Sequence, residues 1–145
     1  MILIAHRANL NGPGEQENSI VGIKTAIDSG FHVEIDVRFV NSKFFLGHDS
    51  AIEEIKPEWL VHEKVWCHAK NTNTLENLLC IGAHCFFHNQ DDCTLTSKKF
   101  IWVYPGKYIP YKFGIAVMPE ISPEWDIRKA YGICTDFVFR YHGNH

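Results

Sequence analysis

The sequence predicts an α/β fold, a compact TIM (β/α)8-type barrel with some helices trimmed to turns. Three observations point to it. Short apolar runs with strand character alternate with helical patterns, which argues for a parallel sheet built of βα units. Ionisable and polar residues gather where those runs end, at His6, Glu34, Asp36, His48, Lys70, His88, Asp91, Glu120 and Asp136. In such barrels the site lies at the carboxyl ends of the strands. The chain has only 145 residues, and eight units would leave roughly 18 residues each, near the lower limit for a strand, a helix and two loops. One domain over 1–145, with reduced helices, is the expectation.

The elements follow in order. Ile2 to Ala5 reads as a strand that ends in His6-Arg7 and a loop holding Asn9, Asn11, Gly12, Pro13 and Gly14. Ile20, Ile23, Ala26 and Ile27 have helical spacing, with Asn18 or Ser19 as N-cap and Gly30 as the stop. His32 to Arg38 is the next strand. Phe44 to Leu46 follows Asn41-Ser42, a turn that would pair the two, and runs into Gly47-His48-Asp49. Pro57 to Leu60 suits a short helical turn, Lys64 to Lys70 a strand, and Thr74 to Ile81 a helix ended by Gly82. Ala83 to Phe87, Phe100 to Tyr104 and Phe113 to Met118 read as strands, the last two stopped by Pro105-Gly106 and Pro119. Pro123 to Tyr131 reads as a helix and Gly132 to Asp136 as a final strand.

Composition excludes some classes of function. The chain is 46% hydrophobic and 21% charged, with a net charge of −3, so it lacks the basic field that nucleic-acid binding requires. The apolar start, Met1 to Ala5, has no basic region before it and is too short for a secretory signal or a membrane span. Cys67, Cys80, Cys85, Cys93 and Cys134 are odd in number and scattered, which argues against a disulfide framework and for a reducing compartment. A cytoplasmic chain is expected. The tract from Cys80 through His84 and Cys85 to His88 invites a zinc reading, but its spacing matches no common structural zinc pattern.

The stretch His32 to Arg38 carries the chemistry. Val33, Ile35 and Val37 alternate with Glu34, Asp36 and Arg38, so both carboxylates share one strand face. At an effective dielectric near 20 and a separation of about 6 Å they repel by about 3 kcal/mol. A divalent cation would reverse that sign. The plainer reading is a solvated face with Arg38 as its counter-charge.

His6-Arg7, Glu17-Asn18-Ser19, Glu34-x-Asp36, His48-Asp49 and Thr135-Asp136 together resemble the glycerophosphodiester phosphodiesterase family, whose fold is a TIM barrel. The pattern also suits its wider superfamily, including phospholipase-D-like toxins and phosphoinositide-cleaving enzymes. The resemblance is dense over Ile2 to Asp49 and thins after Lys70. It implies that His6 and His48 are the general acid and base pair, Arg7 and Lys70 bind phosphate, and Glu34 and Asp36 hold a metal. The family's third strand carries Glu-x-Lys, and here the stretch reads His68-Ala69-Lys70, so His68 becomes the third ligand. Ala8 stands where the family usually has glycine, and the insertion after His-Asp is mostly absent.

The resemblance implies Mg2+ or Ca2+ as cofactor, and the imidazole brings in Mn2+ or Zn2+. It implies a small phosphodiester substrate, with attack by a neighbouring hydroxyl and a cyclic phosphate that water then opens. Candidate substrate contacts are Glu17, Asn18, His88, Glu120 and Asp136. Glu17, Asn18 and His88 also have plainer roles. Glu17 and Asn18 fit the start of a helix, and His88 with Asn89 and Asp91 fits an Asx turn. Trp102 fits the core, with Tyr104, Tyr108 and Tyr111 as candidates for a pocket rim. A barrel with missing helices leaves strands that a second copy of the chain would cover. The rival to an enzyme is a degenerate barrel that binds a phosphorylated ligand without turnover, and a zinc hydrolase of another class is a third reading.

Overall fold

Residues 1–143 are described in the computed structural model. In chain order the strands are β1 (Ile2–Ala5), β2 (His32–Val40), β3 (Lys43–Leu46), β4 (Glu53–Ile55), β5 (Val65–Ala69), β6 (Cys85–Phe86), β7 (Cys93–Leu95), β8 (Ile101–Val103), β9 (Gly114–Val117) and β10 (Gly132–Thr135). The helices are α1 (Ile20–Asp28), α2 (Pro57–Leu60), α3 (Thr72–Cys80) and α4 (Val138–Tyr141). The fold is mixed α/β, one ten-stranded sheet with few helices. Seven strands run parallel in the spatial order β6–β5–β2–β1–β10–β9–β8. β3 and β4 extend β2 antiparallel, and β7 pairs antiparallel with β8.

Strand alternation sorts the apolar side chains into two cores. Ala5, Val33, Ile35, Val37, Cys67 and Ala69 pack with helix residues such as Ile23, Ala26 and Leu78. Ile4, Trp66, Phe86, Trp102, Ile115, Val117 and Cys134 form the second core, which contains no helical residue. One face of the sheet therefore packs on itself, and the sheet curls. Trp66 on β5 meets Trp102 on β8 with ring centroids 5.8 Å apart, although β2, β1, β10 and β9 lie between them along the ladder. The ladder does not run on from β6 to β8 among the described residues. That seam is held by Phe86 on Trp102 at 4.6 Å, and by hydrogen bonds from Thr94 Oγ1 to the Phe87 carbonyl and from the Ser97 N–H to the Cys85 carbonyl.

This packing fixes the direction of the acids. Val33, Ile35 and Val37 are fully buried toward the helices, and each such side chain contributes about 1.5–3 kcal/mol. A slip of one residue would exchange them with Glu34 and Asp36. α1 and α3 lie on β2, α2 and α3 on β5, and α4 on β1. The Ser19 hydroxyl caps α1 and the Asn71 side chain caps α3. Asn41 and Ser42, both at positive φ, form the expected tight turn between β2 and β3.

The structure corrects the second half of the chain. Residues 123–131 are not helical. Asp126 accepts the Arg128 backbone N–H and its guanidinium, and Trp125 donates to the Lys107 carbonyl. The local Asp126–Arg128 bonds compete with the helix, the Trp125 bond ties the stretch to a residue outside it, and most of this stretch is exposed. β4, β7 and α4 were not foreseen. The five cysteines are free, and Cys80 is exposed while Cys85 is buried, so the zinc reading of 80–88 gains nothing. No helix of the described residues is long and apolar enough to cross a membrane.

One interior feature gives a pH prediction. His84 is buried against Trp66 with its Nε2 2.8 Å from Thr96 Oγ1. Burial, with Lys98 nearby, lowers its pKa to about 4. The unfolded chain then binds this proton first, so stability is full above about pH 6.5 and falls as the pH drops toward 4, by about 3 kcal/mol from this group alone. Urea melts at pH 7 and pH 4.5 are expected to show that loss, and His84→Gln to reduce its size.

Candidate active site

The carboxyl ends of the parallel strands open into a cleft of about 480 Å3. His6, Arg7, Glu34, His48, His68, Lys70 and His88 all line it, so both histidines proposed for proton transfer reach one cavity.

Each is placed by its local structure. β1 ends in a 3-10 turn, His6–Ala8, where Arg7 and Ala8 take φ of 50° and 67°. That left-handed backbone costs about 1–2 kcal/mol per residue. It aims the Arg7 N–H at Glu34 Oε2, 3.0 Å away. The strain thus lies at the cleft, where such strain tends to cluster. His48 follows Gly47, whose φ is 147° and where a Cβ would meet the Ser50 carbonyl oxygen at 1.8 Å; only glycine fits there. Arg38 donates to the carbonyls of Gly47 and His48. Arg38 is therefore not the counter-charge of the acids but the brace of the His48 loop, a correction to the sequence reading. His48 Nδ1 lies 2.8 Å from Asp49 Oδ1.

Glu34 and Asp36 are each 1% exposed. Register sets Asp36 beside His68, whose Nδ1 lies 3.2 Å from Asp36 Oδ1 and 3.8 Å from Glu34 Oε1. Lys70 Nζ is 3.4 Å from the same Asp36 oxygen. Arg7 Nε approaches Asp36 Oδ2 at 3.2 Å without hydrogen-bond alignment. Burial disfavours the Asp36 carboxylate, but the His68 hydrogen bond, Lys70 and the Asn18 amide outweigh it and hold the carboxyl well below its usual range. For Glu34, burial and the Asp36 charge act together and raise the pKa, against His6, His68 and the Arg7 N–H.

These two acids and His68 form the one group among the described residues whose ligand atoms, all within 4.8 Å of one another, can hold a metal ion. The fit to a divalent cation is chemical as well as geometric. Glu34 Oε1 is a buried carboxylate oxygen whose near ionic neighbour is His68, at 3.8 Å, and two carboxylates with one imidazole suit Mn2+ or Zn2+ alongside Mg2+ and Ca2+.

The candidate substrate contacts divide. His88 lines the cleft and stacks on His68 at 4.5 Å. Burial and the neighbouring His68 lower its pKa to about 4. The other four are not among the residues lining the cleft and are bonded to neighbouring residues. Glu17 accepts from Arg7 Nη1 at 3.1 Å. Asn18 grips Asp36 twice, donating to Oδ2 and accepting the Asp36 N–H, both at 2.9 Å. Asp136 accepts from His6 Nδ1 at 2.8 Å, and Glu120 accepts from Thr135 Oγ1 and the Asp136 N–H. Trp102 is 2% exposed and serves the core while flooring the cleft, and Tyr104 joins it there. Asp91 accepts the Asn89 N–H, two residues back along the chain, so this bond is not the Asx turn the sequence suggested, in which the side chain accepts from two residues on.

Asp136 determines how His6 works. Burial disfavours the His6 imidazolium, yet the Asp136 bond and the Glu34 charge raise its pKa. The bond also places a proton on Nδ1 and leaves Nε2, 3.9 Å from Glu34 Oε2, for exchange in the cleft. Asp136→Asn is expected to lower kcat by about 10–100-fold, as loss of such an orienting partner does elsewhere, with KM changed far less; steady-state kinetics on a diester checks it.

Sequence reasoning missed Asn9, which is 4% exposed and bonded to both Glu17 and Asp136; an asparagine in a Gly/Pro-rich loop gives only a turn signal. Comparison with family models, curated proteins and solved structures found no match for this chain.

Proposed function

We propose that this chain is a metal-dependent phosphodiester hydrolase of the glycerophosphodiester phosphodiesterase type, and that its curled sheet is a trimmed version of that family's barrel. One observation carries the reading: His6, His48, Arg7 and Lys70 converge on a single cleft beside the Glu34–Asp36–His68 group. A cavity of this size suits a small substrate.

Arg7 grips two phosphate oxygens with its planar fork and Lys70 adds a point charge. A divalent cation held by Glu34, Asp36 and His68 would supply neutralising charge to a phosphate oxygen. One of His6 and His48 takes the proton from a substrate hydroxyl, whose oxygen attacks phosphorus. The other gives its proton to the departing alcohol oxygen as the P–O bond breaks. The histidines then exchange roles, and water opens the cyclic phosphate.

A second reading has its own support. Asp36 already faces Arg7 and Lys70, so cationic side chains supply charge that a metal would otherwise bring. On that reading the cleft binds a phosphorylated ligand without turnover. Hydrolysis of a generic aryl phosphodiester, with and without added Mn2+ or Mg2+ after chelation, separates the two. Metal-dependent release of the aryl alcohol is expected. Phosphate binding with no release under any metal would favour the binding module.

A further inference from the structure

We infer that Asn9 is a positioning residue that ties the proton-transfer end of the cleft to its phosphate-binding end. The inference rests on the hydrolase reading but concerns a residue with no place in that reading's chemistry. Asn9 lies just past the strained His6–Ala8 turn, with its N–H bonded to the His6 carbonyl. Its side-chain nitrogen donates to Glu17 Oε2 and to Asp136 Oδ1, both at 2.8 Å. Both partners are carboxylates and only accept, so the amide orientation is fixed by chemistry.

The two acids have separate duties. Glu17 holds Arg7 Nη1 through its other oxygen. Asp136 holds His6 Nδ1 through the same oxygen that Asn9 binds. One buried NH2 group therefore spends both hydrogens on the two carboxylates that orient the clamp and the proton carrier. It thereby bridges two acids whose other partners are Arg7 and His6. Hydrogen bonds to charged groups are the strong class, and a buried acid left short of a donor bears the full penalty. Loss of this NH2 frees Asp136 and Glu17 together, and through them His6 and Arg7. Asn9 itself does not line the cleft.

The test is a pair of double-mutant cycles on the full chain, read by kcat on an aryl phosphodiester and by calorimetric affinity for inorganic phosphate. Asn9→Leu keeps the volume and removes both donors. It is expected to lower kcat and to weaken phosphate binding, each by about tenfold. In an Asp136→Asn background it should no longer change kcat, and in a Glu17→Gln background it should no longer change phosphate affinity. Simple additivity in both cycles, or an Asn9→Leu protein that melts as the wild type does with both parameters within twofold of it, overturns the inference. A general loss of packing would lower both parameters in every background and also counts against it. Should Asn9→Leu fail to fold, Asn9→Ala is read by the same cycles. A wild-type chain with no diesterase activity defeats the hydrolase reading instead. The coupling is then judged on phosphate affinity and on the His6 ring-nitrogen resonances, where Asn9→Leu must move both for the inference to stand.

Discussion

Glu34→Gln is expected to abolish metal-dependent turnover, by about 10³-fold or more, while the protein still folds. The substitution keeps shape and an acceptor oxygen for the Arg7 N–H. It removes one of two carboxylates that are both buried and that repel each other when no cation lies between them. Burial and Asp36 already push the Glu34 pKa upward, so the neutral amide relieves a cost rather than adding one. Melting temperature without metal is therefore expected to hold or rise. Stabilisation by added Mn2+, clear in the wild type, should vanish. Initial rates and melts across a metal titration measure both effects, and a fully active Glu34→Gln protein would remove this group from the chemistry.

His6→Ala and His48→Ala should each cost about 10²–10⁴-fold in kcat, the usual worth of a positioned proton transfer. The two changes differ in what else they disturb. His6 is held by Asp136 from below and faces Glu34, so its removal leaves Asp136 short of a donor and also lowers stability, by about 1–3 kcal/mol. His48 is 40% exposed at its side chain, and among the described residues its ring pairs with the solvent-facing Asp49 alone, so His48→Ala should leave the melt nearly unchanged. Steady-state kinetics with parallel thermal melts resolves this. Wild-type rates in both variants would refute the assignment.

The first fifty residues showed their structure in the sequence because each motif there obeys a local rule. Ser19 caps α1 through its own hydroxyl, Asn41-Ser42 makes the tight turn, and the alternation of β2 fixes which way Glu34 and Asp36 point. The convergence of His6, His48, Glu34, Asp36, His68 and Lys70 followed from those rules and the resemblance. What lay hidden is non-local. Asp136 and Glu17 are braces because Asn9 and the strained turn at Arg7 bring them there, and no spacing in the chain signals that. The helix expected over 123–131 failed because Asp126 takes the backbone N–H of Arg128 two residues on, and Trp125 is tied to the Lys107 carbonyl outside the stretch. Arg38 looked like a neighbour of the acids, but its long side chain reaches the Gly47–His48 loop.

The most direct test of the central claim is anomalous scattering from a crystal soaked in Mn2+. A peak is expected within coordination distance of a carboxylate oxygen of Glu34, a carboxylate oxygen of Asp36 and a ring nitrogen of His68, on the cleft wall shared by His6 and His48. A protein saturated with Mn2+ that shows no peak there, with Arg7 and Lys70 still seated on Asp36, would contradict it.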